Sequence, residues 1–198
     1  MEQTAGELPR LDQKFSPRLA IDDASGAVLA YSSALRLVPG QPDYLKNLAL
    51  AQREQGDFDA AEQTLREGLA VRPDDAELLL ALGLTALTAG RTETALDALR
   101  RAVEVSPGHP VLHYHLGRAL EAGGREGQAV EAYREAIRIA PNSPIPYRSL
   151  GLLLDRMGDP PGALRALERC ATLDGSGQVL GDEGRALLQR LRRESAHR

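Results

Sequence analysis

The 198-residue chain has no tryptophan and only seven aromatic residues, two Phe and five Tyr. A core without large rings must be filled by many smaller side chains, and Leu and Ala are abundant here. β-branched residues are sparse, which speaks against strands, whereas Leu, Ala, Arg and Glu favour helices. The single cysteine, Cys170, excludes an internal disulfide. There is no basic excess: the net charge of −4 argues against a protein that grips a phosphate backbone. Basic residues gather only near the end, at Arg185, Arg190, Arg192, Arg193 and Arg198, interleaved with Asp182, Glu183 and Glu194. No apolar run reaches the roughly 20 residues that a transmembrane helix needs. The start, MEQTAGELPRLDQKF, carries neither a basic-plus-apolar leader nor a lipidation cysteine. A cytoplasmic protein is the expectation.

What the chain has in quantity is order at long spacing. Prolines 39, 73, 107 and 141 follow one another at 34-residue intervals. They close related phrases: AYSSALRLVP, TLREGLAVRP, ALRRAVEVSP and AYREAIRIAP. Gly56, Gly90, Gly124 and Gly158 keep the same interval, as do Ala61, Ala95, Ala129 and Ala163. Glycine of this kind ends a helix at positive φ, while proline closes the next helix and resets the pattern. Small residues let two helices approach, and large ones fill the space beside them.

This pattern resembles the tetratricopeptide repeat (TPR), a helix–turn–helix unit of 34 residues. The resemblance implies an all-α fold, a right-handed superhelical solenoid of stacked antiparallel helix pairs. Full units start at 42, 76, 110 and 144. Position 8 of successive units is then Ala49, Gly83, Gly117 and Gly151, and position 24 is Tyr31, Leu65, Leu99, Tyr133 and Leu167. Residues 8–22 fit poorly, because Pro9 and Pro17 interrupt them and Phe15 takes position 8. The expected organisation is an irregular lead-in over 1–22, a solenoid over 23–177 whose first good helix runs from about Ala24 to Leu37, and a capping helix with a basic tail over 178–198. Gly175 stands where a closing proline would be, so Gly175-Ser176-Gly177 reads as a flexible join before the cap.

In the family, the first helices of the units line a concave wall. Carried onto this chain, the wall presents Lys46, Leu50, Leu80, Leu84, Leu87, Tyr114, Arg118, Arg148 and Leu152 as candidate partner-binding residues. The stretch Leu78 to Gly90 carries two apolar stripes: Leu79, Leu82, Gly83 and Ala86 for the core, and Leu80, Leu84 and Leu87 beyond what the core needs. Burying those three leucines against a partner would contribute roughly 5–9 kcal/mol gross, before association costs. The family's clamp for a peptide C-terminal carboxylate is absent, since its polar positions hold Leu50, Ala81, Val111 and His115. Tyr114, Arg118 and Arg148 still suit an acidic group on a ligand.

Other constellations lead nowhere specific. His113 and His115 lie two apart on one helix and diverge, and His109 precedes the helix at Pro110, so no metal site is expected. Cys170 takes a small, buried position as an inert packing residue. Gly123, Gly124 and Gly127 lack the strand and Lys of a phosphate loop. Glu62–Arg66 and Asp97–Arg101 read as ordinary exposed pairs. The expectation is a non-enzymatic scaffold or adaptor without cofactor, which binds a peptide or helix of another protein. Self-association is the alternative, and service as the regulatory arm of a larger enzyme is a further one. Leu8, Leu11 and Phe15 in residues 1–17 would, in one version, fold back into the groove.

Overall fold

The computed structural model describes residues 21–196. The expectations for the segment 1–17, including Pro9 and Pro17, therefore lie outside the described residues. Among the described residues ten helices follow one another: α1 (Ile21–Leu37), α2 (Pro42–Glu54), α3 (Phe58–Val71), α4 (Ala76–Thr88), α5 (Thr92–Val105), α6 (Pro110–Ala122), α7 (Glu126–Ile139), α8 (Pro144–Arg156), α9 (Pro160–Leu173) and α10 (Gly181–Ala196). The fold is an all-α, right-handed solenoid of stacked antiparallel helix pairs. The first helix begins at Ile21, slightly earlier than the sequence suggests.

Local chemistry sets the ends of each helix. Pro42, Pro110 and Pro144 open helices where a missing N–H costs nothing. Asp57, Asp75 and Asp159 accept backbone N–H bonds from the first turns of α3, α4 and α9. Gly56, Gly90, Gly124 and Gly158 lie at φ between +68° and +80°, the left-handed turn between the two helices of a unit.

In three of the units the two helices close on a glycine, and in the unit of α2 and α3 on Ala49. A Cβ on Gly83 would stand 2.6 Å from Leu99, one on Gly117 2.6 Å from the ring of Tyr133, and one on Gly151 2.7 Å from Leu167. Those three large side chains are fully buried. Stacking then joins the units: one apolar cluster includes Ala86, Leu99, Tyr133, Leu153 and Leu188, and another includes Leu65, Leu78, Leu79 and Leu112. Cys170 is fully buried in the first cluster, and burial pushes its thiol pKa up.

Two expectations need correction here. The join before α10 is an ordered turn rather than a loose linker. Asp174, 7% exposed, accepts the Leu180 N–H at 2.8 Å and the Ser176 hydroxyl at 2.9 Å. Those bonds favour the ionised carboxylate and hold its pKa below the usual range, the Leu180 N–H contributing most. The second correction concerns Glu62, which is not on a solvated face. It is 2% exposed, and both Arg66, at 2.6 Å, and Arg91, at 2.8 Å, neutralise it. Arg91 also pairs with Asp59. Equivalent places in other units hold Val28, Leu96, Val130 and Leu164, so a carboxylate has replaced an aliphatic side chain. The other pair read from the sequence, Asp97–Arg101, does not form, and Arg101 donates to the Pro73 carbonyl at 2.9 Å instead.

Helix α10 continues the 34-residue register as a further first helix. Arg156 pairs with Glu121, and Arg190 pairs with Asp155 at 2.6 Å, which is the same pairing one unit on. Gly184, Leu188 and Leu191 are buried against the solenoid, Leu187 is half-buried beside them, and most of the remaining surface is polar and exposed.

Candidate functional site: the inner wall

The first helices of the units, α2, α4, α6 and α8, line the inner wall, and their ninth positions form a row across it. The row reads Leu50, Leu84, Arg118 and Leu152, and Ala186 of α10 extends it. Leu50 and Leu84 stand on either side of a groove between α2 and α4. Its volume is about 370 Å³, and Lys46, Ala49, Leu80 and His109 also line it. Lys46 is engaged at the rim by Glu77. A second groove of about 320 Å³ lies between α8 and α10, with Leu152, Ala186 and Leu187 beneath the Asp155–Arg190 pair.

The three leucines singled out in α4 do not behave alike. All three are half-buried, but Leu80 packs against both apolar clusters and Leu87 against one of them. Core packing therefore extends to two of the three, contrary to the sequence expectation. Leu84 joins neither cluster and faces the groove. It is the member whose apolar surface stacking leaves open.

Beyond the groove, Tyr114 of α6 packs against the core and lies 5.9 Å from Tyr133 between ring centroids. Its outer side borders a small apolar pocket with Val111 and Ile145. Tyr133 donates to Glu121 at 2.7 Å, and burial, helped by that carboxylate, raises its phenol pKa. Arg148 is drawn away from the open wall: it donates to the Leu180 carbonyl at 3.2 Å and pairs with Glu183 at 3.5 Å. It thereby joins α8 to the α10 end. Arg118 is exposed and forms no hydrogen bond or ion pair among the described residues.

The two histidines of α6 diverge. His113 is 9% exposed and contacts the Pro107 carbonyl at 2.7 Å through Nε2. His115 stands edge-on to Tyr114, with its Nδ1 buried and unpartnered. Burial, and then the nearby Arg118 charge, push its pKa down to about 4.

Models of the tetratricopeptide repeat match residues 18–76, 46–110 and 80–144, and a further repeat model matches 144–169. The chain belongs to the tetratricopeptide repeat family. None of the curated proteins compared matches it significantly. Among solved structures, a crystal structure of MamA is 25% identical, with a TM-score of 0.72 over 79% of this chain and 92% of that one. MamA from Desulfovibrio magneticus RS-1, residues 41 to the end, is 22% identical, with a TM-score of 0.71 over 77% of this chain and 86% of that one. YrrB, described as a TPR protein with an unusual peptide-binding site, is 16% identical, with a TM-score of 0.66 over 80% of this chain and 82% of that one. The matched family is an interaction repeat and not an enzyme family. Membership of it accounts for the arrangement: a TPR solenoid presents a wall of first helices, and here that wall is apolar where α2 meets α4. No helix of the described residues is long and apolar enough to cross a membrane.

Proposed function

We propose that this TPR protein is a non-enzymatic scaffold or adaptor that binds a peptide or helix of another protein along its inner wall. The observation that supports it most directly is the groove between α2 and α4, where Leu84 stays outside both core clusters and faces Leu50 across open space. Contiguous exposed apolar surface of this kind marks contact sites, and a short ligand gains most by filling such a concavity. Lys46, Leu50, Leu80 and Leu84 form its lining, while Leu87, Tyr114, Arg118 and Leu152 continue the wall and Arg148 ties it to the α10 end. The reading places the protein in the cytoplasm, which suits an unpaired thiol at Cys170. That YrrB, a similar fold, is a peptide binder by its description agrees with this reading.

The test is Leu84→Glu, which places a charge in the groove without removing a core contact. Its helical circular-dichroism spectrum should match the unsubstituted protein while partner capture from a lysate is lost. Undiminished capture by the folded variant removes the groove from the account.

One observation favours self-association as a second reading. The outward row Leu29, Gln63, Asp97, Glu131 and Arg165 is polar except for Leu29, which is 70% exposed. Light scattering over a range of concentrations tests it: a mass that rises with concentration, and no longer does so in Leu29→Gln, is the expected result. An unchanging monomer removes it.

A further inference from the structure

We infer that the partner is a peptide with two apolar segments flanking a carboxylate, and that Arg118 receives that carboxylate. The inference rests on the inner-wall reading above and specifies the ligand it takes. Its starting point is the row of ninth positions, aliphatic at Leu50 and Leu84, cationic at Arg118, aliphatic again at Leu152 and small at Ala186.

The other cations of the wall are already matched within the chain. Lys46 pairs with Glu77, Arg156 with Glu121, Arg190 with Asp155, and Arg148 with Glu183. Arg53 has its neighbour Glu54 at 3.6 Å. Glu121 on the same helix as Arg118 is also engaged, since it accepts from both Arg156 and Tyr133. Against that pairing Arg118 is the exception, an exposed guanidinium that forms no ion pair among the described residues, set between the mainly apolar α2/α4 groove and the α8/α10 groove, whose Leu152, Ala186 and Leu187 lie beneath a charged rim. A guanidinium offers a planar fork of donors suited to a carboxylate, and the hydrogen bonds are stronger for being charge-assisted. A ligand lying along the row meets aliphatic surface, then this charge, then aliphatic surface again.

The geometry also sets a minimum length. The two grooves are separated by three neighbouring first-helix spacings, about 25–30 Å at 8–10 Å per helix pair. An extended segment covers that distance with about eight or nine residues, and a helix needs about 17–20. A ligand shorter than this fills one groove only and leaves Arg118 at its edge.

The experiment uses the full chain as bait for a displayed library of random 20-residue peptides, with Leu84→Glu and Arg118→Glu selected in parallel. Arg118 is exposed, so its replacement leaves the core intact, and circular dichroism checks this. Selected peptides are expected to carry Asp or Glu between two aliphatic clusters. Synthesised singly, they should bind Arg118→Glu at least tenfold more weakly, and replacing the acid by Lys should restore binding to that variant. Peptides that require Leu84 but lack the acid, or ignore Arg118→Glu, overturn the carboxylate and leave the inner-wall reading standing. Failure to select any peptide, or peptides indifferent to Leu84→Glu, overturns both.

Discussion

Arg91, in the turn that opens α5, reaches back across the unit boundary to the Glu62 carboxylate of α3, 2.8 Å away and almost wholly buried. Arg125 repeats the reach one unit on, to Glu93 at 2.9 Å, but the position of Glu62 is there taken by Leu96, so among the described residues only this boundary sets a buried acid beneath the arginine. Removing Arg91 leaves a buried charge with Arg66 alone. Because Arg91 is 39% exposed and Arg66 still faces the carboxylate, Arg91→Met is expected to destabilise measurably, but by less than breaking a fully buried pair would. Glu62→Leu, which copies Leu96 of the next unit, is expected to be neutral or stabilising. Urea denaturation of both variants checks this, and a strongly destabilised Glu62→Leu would show that the ion cluster is required.

Gly117 and Tyr133 meet so closely that a methyl group on the glycine would enter the ring. Gly117→Ala is expected to destabilise by about 1–3 kcal/mol through overpacking. The chain carries its own remedy, since Ala49 takes the same position opposite Leu65 and both are buried. Gly117→Ala combined with Tyr133→Leu should therefore recover part of the loss, despite the forfeited bond to Glu121. Thermal melts of the single and double variants decide this. A double variant as unstable as the sum of the two single changes counts against ring contact as the cause.

His115 makes stability depend on acidity in a defined direction. Its pKa falls from an ordinary 6.5 to about 4 on folding, so the folded state holds fewer protons than the unfolded chain between those values. The associated stability is fully present above pH 6.5 and is lost as the pH falls towards 4. Replacing His115 by Leu should flatten the decline of melting temperature over that interval and change little at pH 7.5. An equally steep decline in the variant would assign the acid sensitivity elsewhere.

The prolines and glycines at 34-residue intervals made the helix pairs legible, because each sits where the backbone itself must turn. Gly83, Gly117 and Gly151 were readable for a related reason, since close approach requires a missing side chain. The inner wall was less legible. Helical spacing placed Leu80, Leu84 and Leu87 on one face, but their burial depends on how far neighbouring helices wrap around that face. Only the folded geometry separates Leu84 from the other two. Arg148 was missed as a link to α10 because its partners, Leu180 and Glu183, lie more than 30 residues away. Glu62 was misread because its i,i+4 partner Arg66 gave a complete local explanation, while Arg91 is distant in sequence. Asp174 carried a weak cue: an acid followed by Ser and Gly often forms a side-chain-closed turn.

Helix α10 places Arg185 at the register position that Gly83, Gly117 and Gly151 occupy in the units before it. There the guanidinium is tied to Asp182 and to the Gly177 carbonyl. A second helix closing on α10 as α5 closes on α4 would meet a long cation instead of an empty backbone. The stack is thus uneven at this register: three earlier units offer the partner helix a bare backbone and one a methyl group, whereas α10 offers an arginine held by its own turn. A helix packed on α10 by the same close approach would have to displace the Arg185 side chain from the Gly177 carbonyl and Asp182.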